Sequence, residues 1–401
     1  MKNENFYSIF AKVRKNKIEE LKNKINYLGI SLSDIEEKFV KGGGKGGQKI
    51  NKTNNAVMLR YVPLNVMVKC QKDRSLSVNR FIALRELVDS IEKILIKDPE
   101  KKKIIQNTKK RGVMILEGKT LSDKIINETR IMAEEFLKIK GRRPSLAIIN
   151  YYENSPSAYY MNLKIKKCNS IGIDTRVYMP ENKTDKGYFI SLIEKLNGDP
   201  DTDAIMVEKP LPDGFDDENF WDVLGFKKDV DALSSVNMGR LFITKSFSDI
   251  ENGNFFVPQT AYAAVKLMKY HNIEISGKKI AVVGRSSIVG KPLAIMLSLL
   301  DATVTICHSK TKNLDYHLKN SDIIITAIGK PKYIKGDMIG NDQIIIDIGT
   351  NFDENGKMCG DVDFDSVKEK VKAITPVPGG VGPVTLSLLL NATVKAAKNL
   401  V

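Results

Sequence analysis

The stretch that most constrains the fold of this 401-residue chain reads KIAVVGRSSIVGKP, from Lys279 to Pro292. A short apolar run, Ile280 to Val283, stops at Gly284, and a helix-compatible run, Leu293 to Leu300, begins just past Pro292. The pattern predicts a strand, a tight turn and a helix. Gly284 and Gly290 let the backbone turn sharply and approach a ligand, and the N–H groups at a helix start favour a phosphate. Ser286 holds the middle place of the usual G-x-G-x-x-G spacing, so the turn alone also suits an ordinary αβ connection.

The charge of the chain is unevenly divided. Residues 1–112 carry 26 Lys and Arg against 12 Asp and Glu, a net +14, whereas the rest carries 37 against 36. A block of that sign suggests a polyanionic partner such as RNA, or a merely solvated basic face. Four cysteines, Cys70, Cys168, Cys307 and Cys359, stand far apart without a CxxC pair. They read as reduced thiols, so neither a disulfide frame nor a metal site is expected. No apolar run approaches the roughly 18 residues of a membrane span. The segment MKNENFYSIF lacks the long apolar core of a secretory signal. A cytoplasmic protein with no membrane partner is expected.

In the basic part, residues 12–27 place Val13, Ile18, Leu21 and Ile25 at helical spacing, and Ser31 to Asp34 suits the cap of a short helix. Five of the six residues from Gly42 to Gly47 are glycine. Such a loop cannot pack a core, but its backbone can enter a tight cavity. Residues 56–60 and 66–70 read as strands about a Pro63-Leu-Asn65 turn, and residues 77–96 as an amphipathic helix. The blocks GGGKGGQKINKTNNAV and VKCQKDRSLSVNRFIALREL resemble the catalytic domain of the peptide chain release factor family. Its GGQ signature stands here as Gly46-Gly47-Gln48. The resemblance implies that the loop enters the ribosomal peptidyl-transferase centre, where Gln48 orients water onto the peptidyl-tRNA ester. It also implies that Lys52, Lys69, Arg74 and Arg80 meet rRNA phosphates. The chain lacks a separate stop-codon-reading domain between this module and the next, as do the short, codon-independent rescue members of that family. Residues 97–110 are a basic segment where those rescue members carry a basic tail that enters the mRNA channel, or else a plain polar linker.

From Met114 the pattern starts afresh: a helix over 121–139, a strand over 146–149, a helix opening at Ser157 and a strand over 204–207. Tyr160 and Lys164 are four apart and share a helix face, where a ring and an amine can stack on and tune a flat substrate, or simply line a surface helix. The signatures S-x-x-Y-x-x-x-K at Ser157 to Lys164, V-x-x-PLP at Val207 to Pro212 and DVD at Asp229 to Asp231 come first. VVGRSSIVGKP at Val282 to Pro292, CHSKT at Cys307 to Thr311 and TPVPGGVGPVT at Thr375 to Thr385 follow. In this order they resemble the bifunctional methylenetetrahydrofolate dehydrogenase/cyclohydrolase family. The implied fold is α/β: a Rossmann domain over 259–382 and a smaller α/β folate domain over 114–258 with a returning helix at 383–401. A small α+β GGQ domain over 1–96 and the linker 97–113 precede them. A homodimer through the folate module is implied.

The resemblance also implies roles. Tyr160 stacks on the folate ring, Lys164 is the principal group of the cyclohydrolase step, and Asp231 anchors the pterin edge. Pro378, Gly379, Gly380 and Val381 line the cleft near the nicotinamide. Gly284, Arg285, Ser286, Ile288, Gly290, His308, Ser309 and Thr350 bind the dinucleotide. NADP is the expected cofactor. The strand at 303–306 ends in CHSKT without the acid that holds a ribose in NAD sites, and Arg285 suits a 2′-phosphate. The sequence departs from the family pattern at Glu208, usually Gln, at Lys209, usually Leu, at Ala232, usually Gly, at Gln259 and Ala261 in the P-C-T-P block, and at Tyr152. A carboxylate at position 208 beside Lys164 would favour the ammonium and weaken it as a base, impairing the cyclohydrolase step. Two alternatives stay open: a first module that only tethers the enzyme to RNA, and a folate module kept as a dimerisation scaffold.

Overall fold

The computed structural model describes residues 10, 13–30, 32–40, 56–98, 113–151, 156–180, 185–209, 211–212, 215, 220–252 and 255–399, without the side chains of 26, 33, 40, 156–160 and 220. The chain divides into two compact units, Met1–Gly112 and Val113–Val401.

In the first unit α1 (Lys15–Leu28), β1 (Ile35–Val40), β2 (Ala56–Tyr61), β3 (Val66–Cys70) and α2 (Leu76–Lys97) follow in order. The strands form an antiparallel sheet, order β1-β2-β3. One sheet face presents Val57, Leu59 and Tyr61 to Ile18, Leu21 and Ile25 of α1 and to Phe81, Leu84, Val88 and Ile91 of α2. Period two on the sheet and period 3.6 on the helices thus converge on one core. β1 is absent from the sequence reading because IEEKFV is half charged, and pairing with β2 is what makes it a strand. Between α1 and β1 only a 3-10 turn forms, Leu32–Asp34.

Two motif residues of this unit hold the fold. Buried Asn79 accepts hydrogen bonds from the backbone N–H groups of Lys72 (2.9 Å) and Asp73 (2.8 Å) and donates to the Asp73 carbonyl (2.7 Å). It fixes the turn from β3 into α2. Arg80 donates twice to Glu37, both at 2.7 Å, with side chains only 13% and 8% exposed. Expected on rRNA phosphates, Arg80 instead ties α2 to β1 through a bidentate pair.

The second unit contains β4 (Met114–Ile115), α3 (Lys119–Lys140), β5 (Ser145–Ile149), α4 (Pro156–Ser170), β6 (Asp174–Tyr178), α5 (Lys186–Gly198) and β7 (Ala204–Val207). Next come α6 (Ser235–Ile243), α7 (Phe247–Asn252), α8 (Gln259–Tyr270), β8 (Lys279–Val283), α9 (Gly290–Ser298), β9 (Thr303–Cys307), α10 (Leu314–Lys319) and β10 (Ile323–Thr326). The chain ends with β11 (Ile344–Asp347), β12 (Asn351–Phe352), β13 (Met358–Cys359), α11 (Phe364–Val367), β14 (Ala373–Ile374) and α12 (Val381–Ala397). One sheet has six strands, order β4-β14-β11-β10-β8-β9, and every pair in it is parallel. Its central strands, such as IIIT at 323–326, are buried throughout, as expected of a sheet covered on both faces. The other sheet has three parallel strands, order β6-β5-β7.

Met114 and Ile115 pair with Ala373 and Ile374 at the edge of the six-stranded sheet. The segment expected to open the folate domain therefore begins as a strand of the Rossmann sheet, and the chain crosses to the smaller sheet only through α3. The last helix crosses the same way. Leu121 and Ile125 of α3 and Val384 and Leu388 of α12 belong to the larger core. Ile126 and Ala133 of α3 and Leu389, Leu390 and Val394 of α12 belong to the smaller one. Among the described residues no helix is long and apolar enough to cross a membrane, and no group of His, Cys, Asp and Glu is placed to hold a metal ion.

Candidate active site

A cleft of about 680 Å³ opens between the two sheets of the second unit. From the smaller sheet it is lined by Lys164 and Lys167 on α4, by Glu208 and Lys209 just past β7, and by Asp231 and Gln259. From the larger sheet come Ile288, the 347–350 segment at the end of β11, and the 376–383 loop that leads into α12. These are the carboxyl ends of parallel strands, where such sheets bind ligands.

Each side chain is positioned by its element. The Glu208 N–H donates to the Ile149 carbonyl at 2.9 Å, so the residue continues the β5–β7 ladder and its side chain is carried inward. Glu208 is 8% exposed, and its carboxylate pairs with the Lys164 ammonium. The DVD loop divides its acids. Asp229 is buried and accepts from the N–H groups of Leu233 and Ser234, both at 2.9 Å, and from the Asn237 amide at 3.0 Å. That carboxylate is consumed in shaping the loop. Asp231 faces the cleft and accepts one backbone N–H, from Gln259, at 3.3 Å. The Gln259 amide donates to the carbonyls of Val230 (2.8 Å) and Val257 (2.9 Å), clamping the loop from beneath. Ala232 takes φ 52°, left-handed backbone that an L-residue adopts at a cost and that suits the family's glycine. Lys209 lays its ammonium 5.1 Å over the Trp221 ring.

On the dinucleotide side β8 delivers the turn. A Cβ on Gly290 would lie 2.2 Å from the Gly284 carbonyl oxygen, so only glycine lets the start of α9 close over the turn. The Ser286 hydroxyl accepts from the N–H groups of Val289 (3.2 Å) and Gly290 (3.4 Å). Arg285 is exposed at the turn, and β9, paired beside β8, ends at half-buried His308 and exposed Ser309. The His308 N–H donates to the Thr311 hydroxyl at 2.8 Å, and its Nδ1 accepts from the Lys310 N–H at 3.2 Å. This backbone cradle with two adjacent polar loops fits a dinucleotide. Thr350, Ile288, Pro378, Gly379, Gly380 and Val381 share the main cleft with Lys164 and Asp231. Arg285, Ser286, His308 and Ser309 instead stand at the ends of β8 and β9. Gly46, Gly47, Gln48, Lys52, Tyr152 and the Tyr160 side chain lie outside the described residues.

The sequence reading missed two charged lining residues, Lys167 and Asp347. Lys167 lies three residues past Lys164 on the same helix face, a spacing that flags it. Asp347 lies at the end of β11 and accepts from the Thr326 hydroxyl and the N–H groups of Gly349, Asp361 and Val362. Only the fold brings those donors together.

The catalytic-domain profile of tetrahydrofolate dehydrogenase/cyclohydrolase matches residues 116–231, and the profile of its NAD(P)-binding domain matches 258–401. The bifunctional protein FolD of Caldanaerobacter subterraneus subsp. tengcongensis is 43% identical over 285 residues, which cover 71% of this chain and 97% of that protein. The chain belongs to the tetrahydrofolate dehydrogenase/cyclohydrolase family. The crystal structure of FolD from Campylobacter jejuni has 39% identity and a TM-score of 0.66, over 72% of this chain and all of that one. The Trypanosoma brucei enzyme, solved with NADP and an inhibitor, has 33% identity and a TM-score of 0.65 over 71% of this chain and 97% of its own. An RF-1 domain profile matches residues 23–130. This family member is thus a folate dehydrogenase/cyclohydrolase with an NAD(P)-binding domain, preceded by an RF-1 domain.

Burial raises the Asp231 carboxyl from its ordinary 3.8 to about 6; the Gln259 N–H opposes the rise, Asp229 adds to it, Lys164 opposes it and Glu208 adds to it. The native state therefore keeps a proton that the unfolded chain has released. The stability this group contributes is full below about pH 4 and is lost as pH rises through about 6. Asp231→Asn has no charge to bury. Its stability relative to the parent is expected to rise between about pH 4 and about pH 6, as read from urea midpoints. Parallel pH curves for the two proteins would contradict the assignment.

Proposed function

We propose that residues 113–401 oxidise 5,10-methylenetetrahydrofolate with NADP and hydrolyse the methenyl product to 10-formyltetrahydrofolate, the second step being the weaker. The convergence of Lys164, Glu208 and Asp231 with the 376–383 loop in one cleft carries this reading. Asp231 holds the pterin edge, the Pro378 to Val381 loop lies against the nicotinamide, and Tyr160 stacks on the folate ring. Gly284, Arg285, Ser286, Gly290, His308 and Ser309 hold the dinucleotide, with Ile288 and Thr350 at its reactive end. When bound, the dinucleotide accepts the hydride. Lys164 then serves the attack of water on the methenyl carbon, and its ion pair with Glu208 competes for the amine. A homodimer through the folate module is supported by the edge position of β6, where Val177 and Met179 are exposed.

We further propose that residues 1–112 hydrolyse peptidyl-tRNA on stalled ribosomes. Gln48 lies at the reacting centre, and the net charge of +14 over these residues supplies sequence-independent attraction to rRNA.

The 2′-phosphate assignment is tested by kcat/KM with each dinucleotide. NADP is expected to be preferred at least about tenfold, with the preference reduced in Arg285→Ala, since the guanidinium contributes chiefly to the phosphate. A preference for NAD would sink it. Glu208→Gln is expected to raise the cyclohydrolase rate relative to the dehydrogenase rate, because it releases the Lys164 amine from its ion pair. An unchanged ratio would make Glu208 a bystander to hydrolysis. For the first unit, full-length protein is incubated with ribosomes carrying peptidyl-tRNA on a truncated message. Peptide release is expected, with Gln48→Ala still bound to the ribosome but slow in release. Release no faster than in that variant would leave only the RNA-tether reading.

A further inference from the structure

We propose that Glu208 makes the cleft a counter-ion site that favours the cationic methenyl form of the substrate over its neutral methylene form. The inference rests on the folate reading above and adds a role in the dehydrogenase step to a residue so far weighed only for hydrolysis.

In that step the methylene C–H bond breaks and both its electrons leave with the hydride. The bridge between N5 and N10 becomes an amidinium, which carries one positive charge that the substrate lacked. No proton is gained or lost. A protein group that stabilises this charge acts on the product and on the transition state leading to it, and hardly at all on the substrate.

The chain's own residues set the charge that this cation meets. Glu208 is 8% exposed and paired with Lys164, and both line the same cleft as Asp231. With Lys164 as ammonium and both acids ionised, the three groups sum to one negative charge. The neutral amide usual in the family would leave them at zero. Lys167 and Lys209 also line the cleft, but they are the same whichever residue stands at 208, so they cancel from the comparison. Position 208 alone shifts the cleft by a full unit charge, felt through partial screening by the paired Lys164 ammonium.

The same charge opposes the second step. Addition of water discharges the cation, so a site that holds the cation well stabilises the ground state of hydrolysis more than its transition state. One substitution thereby favours hydride transfer and disfavours hydrolysis.

The test is rapid binding to the full-length chain without dinucleotide. The probes are 5,10-methenyltetrahydrofolate and 5,10-methylenetetrahydrofolate. Trp221 is the single tryptophan, and it packs against the cleft residue Lys209, so its fluorescence in a stopped-flow instrument reports binding before hydrolysis proceeds. The affinity ratio, methenyl over methylene, is expected to fall about tenfold in Glu208→Gln, the effect of one screened charge at contact range. Glu208→Asp, which keeps the charge, is expected to retain most of the ratio. An unchanged ratio in Glu208→Gln overturns the proposal, and so does an equal loss in both variants, which would point to shape and not charge. If the parent chain oxidises methylenetetrahydrofolate while the ratio does not move, only this inference falls. If the parent lacks that activity, the function itself falls.

Discussion

The second unit depends on the docking of α12 against α3. Each sheet closes the core on one of its faces with them. At one end of the pair, the Gly118 N–H donates to the Gly379 carbonyl at 2.8 Å and the Ser122 hydroxyl to the Pro383 carbonyl at 2.9 Å. Midway, the Asn391 amide donates to the Thr129 hydroxyl at 3.1 Å, and at the far end Lys398 meets Glu135 at 2.8 Å. Burying Leu389, Leu390 and Val394 on one side and Val384 and Leu388 on the other contributes about 2 kcal/mol for each side chain. The exposed Lys398–Glu135 contact adds little beside that. The cleft is what remains between two sheets held apart by a shared helix pair. The loop 376–380 that lines it is also the lead-in to α12, so the geometry of the site and the packing of the core are one problem.

The cleft also shows how one protein keeps several acids near each other with different tasks. Asp229 spends its oxygens on two backbone N–H groups and an amide, so it shapes the loop and offers nothing to a ligand. Asp347 is similarly filled by three backbone N–H groups and a hydroxyl. Asp231 accepts one N–H and keeps the rest of its capacity for the cleft. Glu208 is matched to a single cation. The number of donors that the fold already supplies to each carboxylate decides which of them can answer to substrate.

Much of this was legible in the sequence. Strands β2, β3 and β7, helices α2 and α3 and the strand-turn-helix at 279–292 fall within a few residues of where periodicity and turn glycines put them, and α12 lies where the family resemblance implied a returning helix. The signatures fix the order of the cleft residues along the chain. Three kinds of feature were not legible. β1 has too few apolar residues to announce itself and exists because β2 offers a ladder. β4 is two residues long, and its membership of the larger sheet is decided by α3 and α12. Arg80 reads as a cation for RNA in a chain segment of net positive charge. Its partner Glu37 is 43 residues away in sequence, and only the fold brings the pair together. In each case the missing information is a long-range contact, which local spacing does not encode.

The two units close separate hydrophobic cores. The first closes a core of its own, with Leu59, Tyr61, Leu84, Leu87, Val88 and Ile91 all fully buried. The second closes its cores entirely from residues beyond 113. Among the described residues each core cluster is built from one unit alone, so each has the hydrophobic means to fold alone. The charge is divided along the same line, almost all of the excess lying before residue 113. Attraction to a polyanion is therefore a property of the first unit, screened by salt over about 10 Å at 0.1 M. The Lys164–Glu208 pair in the cleft of the second unit is largely buried, where salt reaches poorly. Raising ionic strength thus weakens charge-driven attraction at the first unit more than the buried ion pair of the second, because the two are set at different depths.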